Sequence, residues 1–354
     1  MKLIRKVLLL VVCLGVALTG CNLWTDGSYS STKPNYASGE NHIDGVVAVS
    51  SYYQICSVLS EMVQEGMQEA TLQFVGIPGS QTDYYLEMAI DYVLHTNPIA
   101  AYAVNKITYD VGTKLGKPAV AVDIAYNRNR SEILQIKKAQ NMEEAMSLIR
   151  IALNNCQLGV VVRVNNYTDY DLTQYVQDYA KDNPQKCMEM PQVSVAYFPE
   201  SGQERVIEIS FTYQTNRETL RVMQQSVGEV FKSAQLYTDP GAEPGKKYGQ
   251  LYTFLMERYD YKIETSITPA YSLLRHGVGD SKAFAMVYAA MCRQVDLECQ
   301  VVAGTKNGEA WHWNVVKQGD AYYHLDLLQC SVDGKLAFKN KNQMTGYVWD
   351  FSAF

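Results

Sequence analysis

Beyond its first twenty residues the chain has no run of about 18 apolar residues, the length that a membrane-spanning helix requires. The remainder is therefore expected to stand outside the bilayer. Nor is there an excess of positive charge: 31 Lys and Arg face 37 Asp and Glu, for a net charge of −6. That balance argues against nucleic acid, or a bare anionic membrane surface, as a partner. Eight cysteines occur without one Cys-x-x-Cys pair. A zinc site is therefore not expected, and no metal or other cofactor is predicted.

What is present begins with a targeting pattern. Lys2, Arg5 and Lys6 form a positive start, and Val7 to Val16 is an apolar stretch too short to span comfortably. Leu18-Thr19-Gly20-Cys21 then matches the lipobox of bacterial lipoproteins. That resemblance implies cleavage before Cys21 and acylation of Cys21 with chains such as palmitate. Several buried acyl chains hold a protein stably to a membrane. Residues 1–20 are thus predicted as a lipoprotein signal peptide, and residues 21–44, rich in Ser, Gly and Asn, as a flexible tether. The expected location is the extracytoplasmic face of a cell membrane, with the membrane as a partner through Cys21. The leader carries three cations and no acid, so its removal takes the net charge from −6 to −9. Cys56, Cys156 and Cys292 fall in apolar helical patterns and read as small core residues. An exported location permits disulfides, and Cys299 with Cys330 is the first pairing to consider.

An internal repeat fills residues 45–220. Asp91-Tyr92 returns as Asp178-Tyr179, Asn97-Pro98 as Asn183-Pro184, and Arg130-Ser131-Glu132 as Arg217-Glu218-Thr219, at offsets of 86 to 88 residues. Each copy, 45–130 and 131–220, reads as β-α-β-α-β-β. Short strands are expected at Val46–Val49 and Ile133–Ile136, helices at Ser51–Gly66 and Met142–Asn155, and a second helix in each copy stopped by Asn-Pro. Almost no linker separates the copies, so they are expected to pack together. A helix follows, then Thr238-Asp239-Pro240-Gly241-Ala242-Glu243-Pro244-Gly245, a strong breaker. Residues 221–247 read as helix and linker, and 248–354 as the last domain. The 26 tyrosines offer contact area if exposed, or serve as ordinary strand residues. Neither copy contains a His-Cys-Asp cluster.

The last domain carries the chemistry-bearing pattern. Gly277-Val278-Gly279-Asp280-Ser281-Lys282-Ala283-Phe284-Ala285 opens a helix, Trp311-His312-Trp313-Asn314 follows, and Tyr322-Tyr323-His324-Leu325-Asp326 closes the series. In order and context this resembles the transglutaminase-like superfamily, whose members show Gly-x-Cys-x-Gly-Tyr-Ala, then His-x-Trp-Asn, then an aromatic strand ending in Asp. The fold class that follows is α+β, a tandem β-α-β-α-β-β repeat before a transglutaminase-like, cysteine-protease-like domain.

The resemblance implies a thiolate at a helix start, an imidazole that moves the proton and an acid that orients it. Ser281 stands where the thiol belongs, and Trp311 where the imidazole belongs; only Asp326 keeps its place. His312 is one residue late, which on a strand reverses its face. Ser281 also reads as a helix N-cap. The residues therefore predict a non-catalytic domain, one that binds envelope peptide or glycan or another surface protein. A second arrangement stays open: a β-bulge near Glu309–Trp311 would turn His312 toward Ser281, making Ser281, His312 and Asp326 the triad of an envelope amidase or peptidase.

Overall fold

The computed structural model describes residues 42–43, 46–114, 117–263 and 266–350. The predicted signal peptide, the lipid site Cys21 and the tether up to residue 41 lie outside the described residues. The architecture is α+β, with three principal sheets.

The first module contains β1 (His42–Ile43), β2 (Val46–Val49), α1 (Tyr52–Glu65), β3 (Glu69–Phe74), α2 (Gly79–Thr96), α3 (Pro98–Ala103), β4 (Val104–Lys114) and β5 (Lys117–Tyr126). Its strands lie in the order β1-β2-β3-β5-β4, with β2 parallel to β3 and the other pairs antiparallel. The limits of α1 follow from its sequence. Ser51 Oγ accepts from the Gln54 amide, Ile55, Leu59, Met62 and Val63 face the core, and Gly66 closes the helix at φ 63°, where a Cβ would be strained.

The second module contains α4 (Arg130–Leu134), β6 (Lys137–Asn141), α5 (Met142–Asn154), β7 (Gly159–Asn166), α6 (Leu172–Asp182), β8 (Gln192–Phe198) and β9 (Arg205–Thr212). Its strand order is β6-β7-β9-β8, with β6 parallel to β7 and the other pairs antiparallel. One local expectation is corrected. The strand expected at Ile133–Ile136 is the end of α4 and the turn after it. Asn129 and Glu132 form a reciprocal capping box there, and the strand starts only at Lys137. Asn97-Pro98 stops α2 and also starts α3. Asn97 Oδ1 accepts from the Ile99 and Ala100 amides, and Pro98 takes the first position of α3.

The modules are packed against each other. The Tyr102 and Phe198 rings meet at 5.4 Å, and Arg128 Nη2 reaches Glu208 Oε2 at 2.8 Å. Then α7 (Arg217–Tyr237) leads to α8 (Pro244–Met256) across the expected breaker. The core does not stop at that loop: Phe231 and Ala234 share one buried cluster with Tyr248, Leu251, Tyr288 and, from the second module, Cys156 and Met188.

The last domain continues with β10 (Asp260–Tyr261), α9 (Pro269–Tyr271), a π-helical turn at Ser272–His276, β11 (Val278–Gly279) and α10 (Ser281–Gln294). It ends with β12 (Cys299–Lys306), β13 (Glu309–Gln318), β14 (Ala321–Leu325), α11 (Leu327–Val332) and β15 (Tyr347–Trp349). The antiparallel sheet has the order β14-β13-β12-β15. Helix α10 lies against it, buried on nearly every side, as an apolar helix at the centre of a domain must be. Cys56, Cys156, Cys187, Cys292, Cys299 and Cys330 are all free, so the Cys299–Cys330 pairing does not form. Both are wrapped in the core, and Cys292, not Cys330, is the sulfur beside Cys299.

Candidate functional site

The turn before α10 is held by backbone. Asp260 N donates to Gly277 O at 2.8 Å and Lys262 N to Gly279 O at 2.9 Å, so β10 clamps the chain just before the helix. Gly277 sits at φ 84°, a conformation L side chains rarely adopt. A Cβ on Gly279 would lie 3.0 Å from Ala283 Cβ and 3.1 Å from Leu273 Cδ1, so the turn packs too closely for a side chain.

Asp280, not Ser281, caps the helix: its carboxylate accepts from the Ala283 amide at 2.8 Å. Ser281 is the first helical residue and is buried. Its Oγ accepts from the backbone N–H of His312 at 3.2 Å. The hydroxyl thus faces the main chain of β13, not an imidazole.

The bulge on which the second arrangement depended is not there. From Glu309 to Val316, β13 pairs with β12 in unbroken register. The His312 ring instead lines a groove with Lys282, Met286 and Ala303. Burial first, and the Lys282 ammonium second, hold its pKa below the usual imidazole range. Among the described residues no hydrogen bond joins that ring to Ser281 or to Asp326. The three predicted residues sit in one domain, but they do not form a relay.

Asp326 meets Trp311 instead. Trp311 Nε1 donates to Asp326 Oδ2 at 2.9 Å, so an indole N–H stands where the resemblance implies an imidazole. The same oxygen accepts from Lys306 Nζ at 3.1 Å and Tyr347 Oη at 2.6 Å. Oδ1 accepts from the Leu328 and Gln329 amides, both at 3.1 Å, and so caps α11. A carboxylate offers about four lone-pair sites. Five donors on Asp326 leave no place for a catalytic imidazole. Lys306 also lies over the Trp311 ring at 4.7 Å, and Tyr261 packs on that ring at 5.6 Å between centroids. Burial, then the Asp326 carboxylate, raises the Tyr347 pKa far above the ordinary phenol range.

Other motif positions are spent on structure. Asn314 is fully buried, and its Nδ2 donates to Ala285 O at 2.9 Å, tying β13 to α10. Trp313 Nε1 donates to His324 Nδ1 at 3.0 Å within a cluster with Tyr347 and Trp349. Burial lowers the His324 pKa, in keeping with a ring that accepts through Nδ1. Sequence reasoning missed Lys306 and Tyr347, the two side chains that complete the Asp326 cluster. Only the pairing of β12 with β15, which sets Lys306 opposite Tyr347, brings them together.

Chemically, the cluster has a buried carboxylate, an ammonium, a phenol and an indole, and among the described residues no hydrogen bond joins Ser281 to a thiol or a free base. An indole donates and cannot take a proton. No group of three or more His, Cys, Asp and Glu side chains among the described residues is placed to hold a metal ion.

Residues 232–327 match the transglutaminase-like superfamily. No curated protein matches the chain. Among solved structures, the chain is similar to a protein described as a TGase, at 10% identity and a TM-score of 0.27, over 61% of this chain and 63% of that one. A candidate cysteine protease from Cytophaga hutchinsonii matches at 10% identity and a TM-score of 0.25, over 45% of this chain and 70% of its own. A candidate protease from Parabacteroides distasonis matches at 10% identity and a TM-score of 0.24, over 60% and 47%. The chain thus spans less than two thirds of the first of these, and at such scores no residue of theirs is placed on this chain. The family match covers the turn, the central helix and all three motif blocks, and residues 232–327 are a transglutaminase-like domain.

Proposed function

We propose that this domain has exchanged acyl transfer for binding, and that the protein works as a lipid-anchored receptor or scaffold on the extracytoplasmic face of a membrane. The observation that carries this reading is the saturation of Asp326 by Trp311, Lys306, Tyr347 and two helix amides. Activation of a serine needs a nearby base and an acid free to orient it. Here the base position holds indole, the acid is engaged, and the Ser281 hydroxyl accepts from the His312 amide.

The anchor rests on the Leu18 to Cys21 lipobox, with acylation such as palmitoylation at Cys21. The ligand class is a peptide or glycan of the cell envelope, or a segment of another surface protein. Its support is the α+β scaffold of residues 232–327, with the Tyr261 and Trp311 rings packed together beside Asp326.

Incubation of the purified protein with a fluorophosphonate tests the reading. No label is expected on Ser281. Labelling that disappears in Ser281→Ala would make the protein a serine amidase or peptidase and end the binding proposal.

A further inference from the structure

The sheet of the last domain has an open edge set in a groove. β15 pairs with β12 only over Gly304–Lys306, which leaves the start of β12 without a partner strand on that side among the described residues. Lys317 N donates to Glu298 O, and β12 and β13 then alternate residue by residue. In an antiparallel ladder, residues next to a bonded position turn their N–H and C=O outward. Cys299 and Val301 therefore aim their backbone groups away from β13. Arg293 Nη1 takes the Cys299 carbonyl at 3.1 Å. The Cys299 N–H and both Val301 groups have no partner among the described residues.

This edge forms the floor of a groove of about 920 Å3. One wall is α10, with Lys282, Met286 and Arg293; the other is α6 of the second module, with Asp178, Lys181 and Asp182. Ser281, Trp311 and Asp326 do not line it. An open edge on a flat surface invites another chain, whereas a recessed one admits only a single extended segment. The walls are held together: Arg293 donates to the Asp182 carbonyl and lies 3.9 Å from its carboxylate.

The groove has polarity. Most of its charges are paired: Lys181 with Asp178, Arg293 with Asp182, and Glu298 with Lys317. Two are not paired among the described residues. Lys282 stands at the His312 end, and Asp296 at the Leu297 end, with the free β12 edge between them. Opposite charges at the two ends of a docking edge select register and orientation.

We propose that this edge takes an extended peptide as an added strand, with an acidic side chain over Lys282 and a basic one over Asp296. The proposal deepens the binding function above and rests on it, placing the peptide beside α10, away from Ser281, Trp311 and Asp326. The probe is a pair of fluorescein-labelled, C-amidated hexapeptides, Lys-Thr-Val-Thr-Val-Glu and its reversed order, titrated with the protein and followed by anisotropy. One order is expected to bind saturably, with the other at least tenfold weaker, and a version with Glu at both ends also at least tenfold weaker. The double exchange Lys282→Glu with Asp296→Lys should invert the preferred order. Val301→Pro removes an outward N–H and no ladder bond, and should weaken binding at least tenfold. N-methylating the peptide at alternate residues should do the same, without touching the protein's fold. Equal binding of both orders, no binding of either, or indifference to N-methylation would overturn the proposal. So would a stable dimer lost in Val301→Pro, which would put a second copy of the chain on this edge. The fluorophosphonate experiment is independent of these outcomes, since it reads Ser281 alone.

Discussion

Asp326→Asn should cost the fold far more than loss of an ordinary surface carboxylate would. The substitution keeps one acceptor oxygen, enough for the two amides that cap α11. The other oxygen becomes an NH2 group facing the indole N–H of Trp311, the ammonium of Lys306 and the hydroxyl of Tyr347. Each buried donor left without an acceptor costs about 1–3 kcal/mol. Breaking a buried ion pair costs about 3–5 kcal/mol. Lys306 is only 18% exposed but keeps Gln329 Oε1 at 2.8 Å, and the donors share one relaxation, so these costs overlap. A net loss of about 3–5 kcal/mol follows. For a chain of this size that lowers Tm by roughly 4–8 °C. Urea unfolding followed by tryptophan fluorescence, with a thermal melt beside it, measures the loss. Ser281→Ala is the reference, since it removes one hydroxyl–amide bond worth about 1 kcal/mol. If Asp326→Asn unfolds within about 0.5 kcal/mol of wild type, inside the range of ordinary surface substitutions, the carboxylate does not hold this domain together.

Four further outcomes follow from the same geometry. Gly304→Ala should loosen β15 at a cost of about 1–3 kcal/mol, because a Cβ there would lie 2.3 Å from the Val348 carbonyl and 2.8 Å from the Trp313 ring; equilibrium unfolding checks it, and an unchanged midpoint would contradict it. His324 is neutral in the fold because burial lowers its pKa, so the unfolded chain takes up its proton first. Stability should therefore be complete above about pH 6.5 and decline as pH falls from there toward the lowered pKa, a slope that His324→Gln should reduce, with His312 supplying a further part, in urea midpoints taken across that range. Ser281→Cys with Trp311→His should not by itself restore rapid thiol-dependent acyl transfer, since Lys306 and Tyr347 still occupy Asp326; efficient turnover by that variant would mean the carboxylate is free to orient an imidazole. Cys21→Ala should move the protein from the membrane to the soluble fraction and abolish palmitate incorporation; retention on membranes would remove the lipid anchor from the account.

The sequence made the principal elements legible wherever a cap or a breaker punctuated the apolar pattern. Ser51 and Gly66 bracket α1, and Asp280 precedes α10. It was less legible where two signals overlapped. Asn97-Pro98 reads as a stop, and it is one, but the same pair also starts α3. Ile133 reads as a strand opener, although Asn129 and Glu132 commit the segment to a helical turn. Ser281 and Trp311 stand plainly where the resemblance implies a thiol and an imidazole. The surroundings of Asp326 were not legible, because its cluster draws Lys306 and Tyr347 from strands that meet only in the folded sheet. Periodicity placed His312 on the face opposite Trp311. It carried no sign that His312 would meet Ser281 through its own amide.

The most direct measurement is hydrogen exchange at the Trp311 indole, assigned in an amide and indole nitrogen spectrum by Trp311→Phe. The account predicts a strongly protected Nε1 proton that loses its protection in Asp326→Asn. An indole that exchanges as freely as one in water would show that Trp311 does not occupy the carboxylate, and that the site is still open to a base.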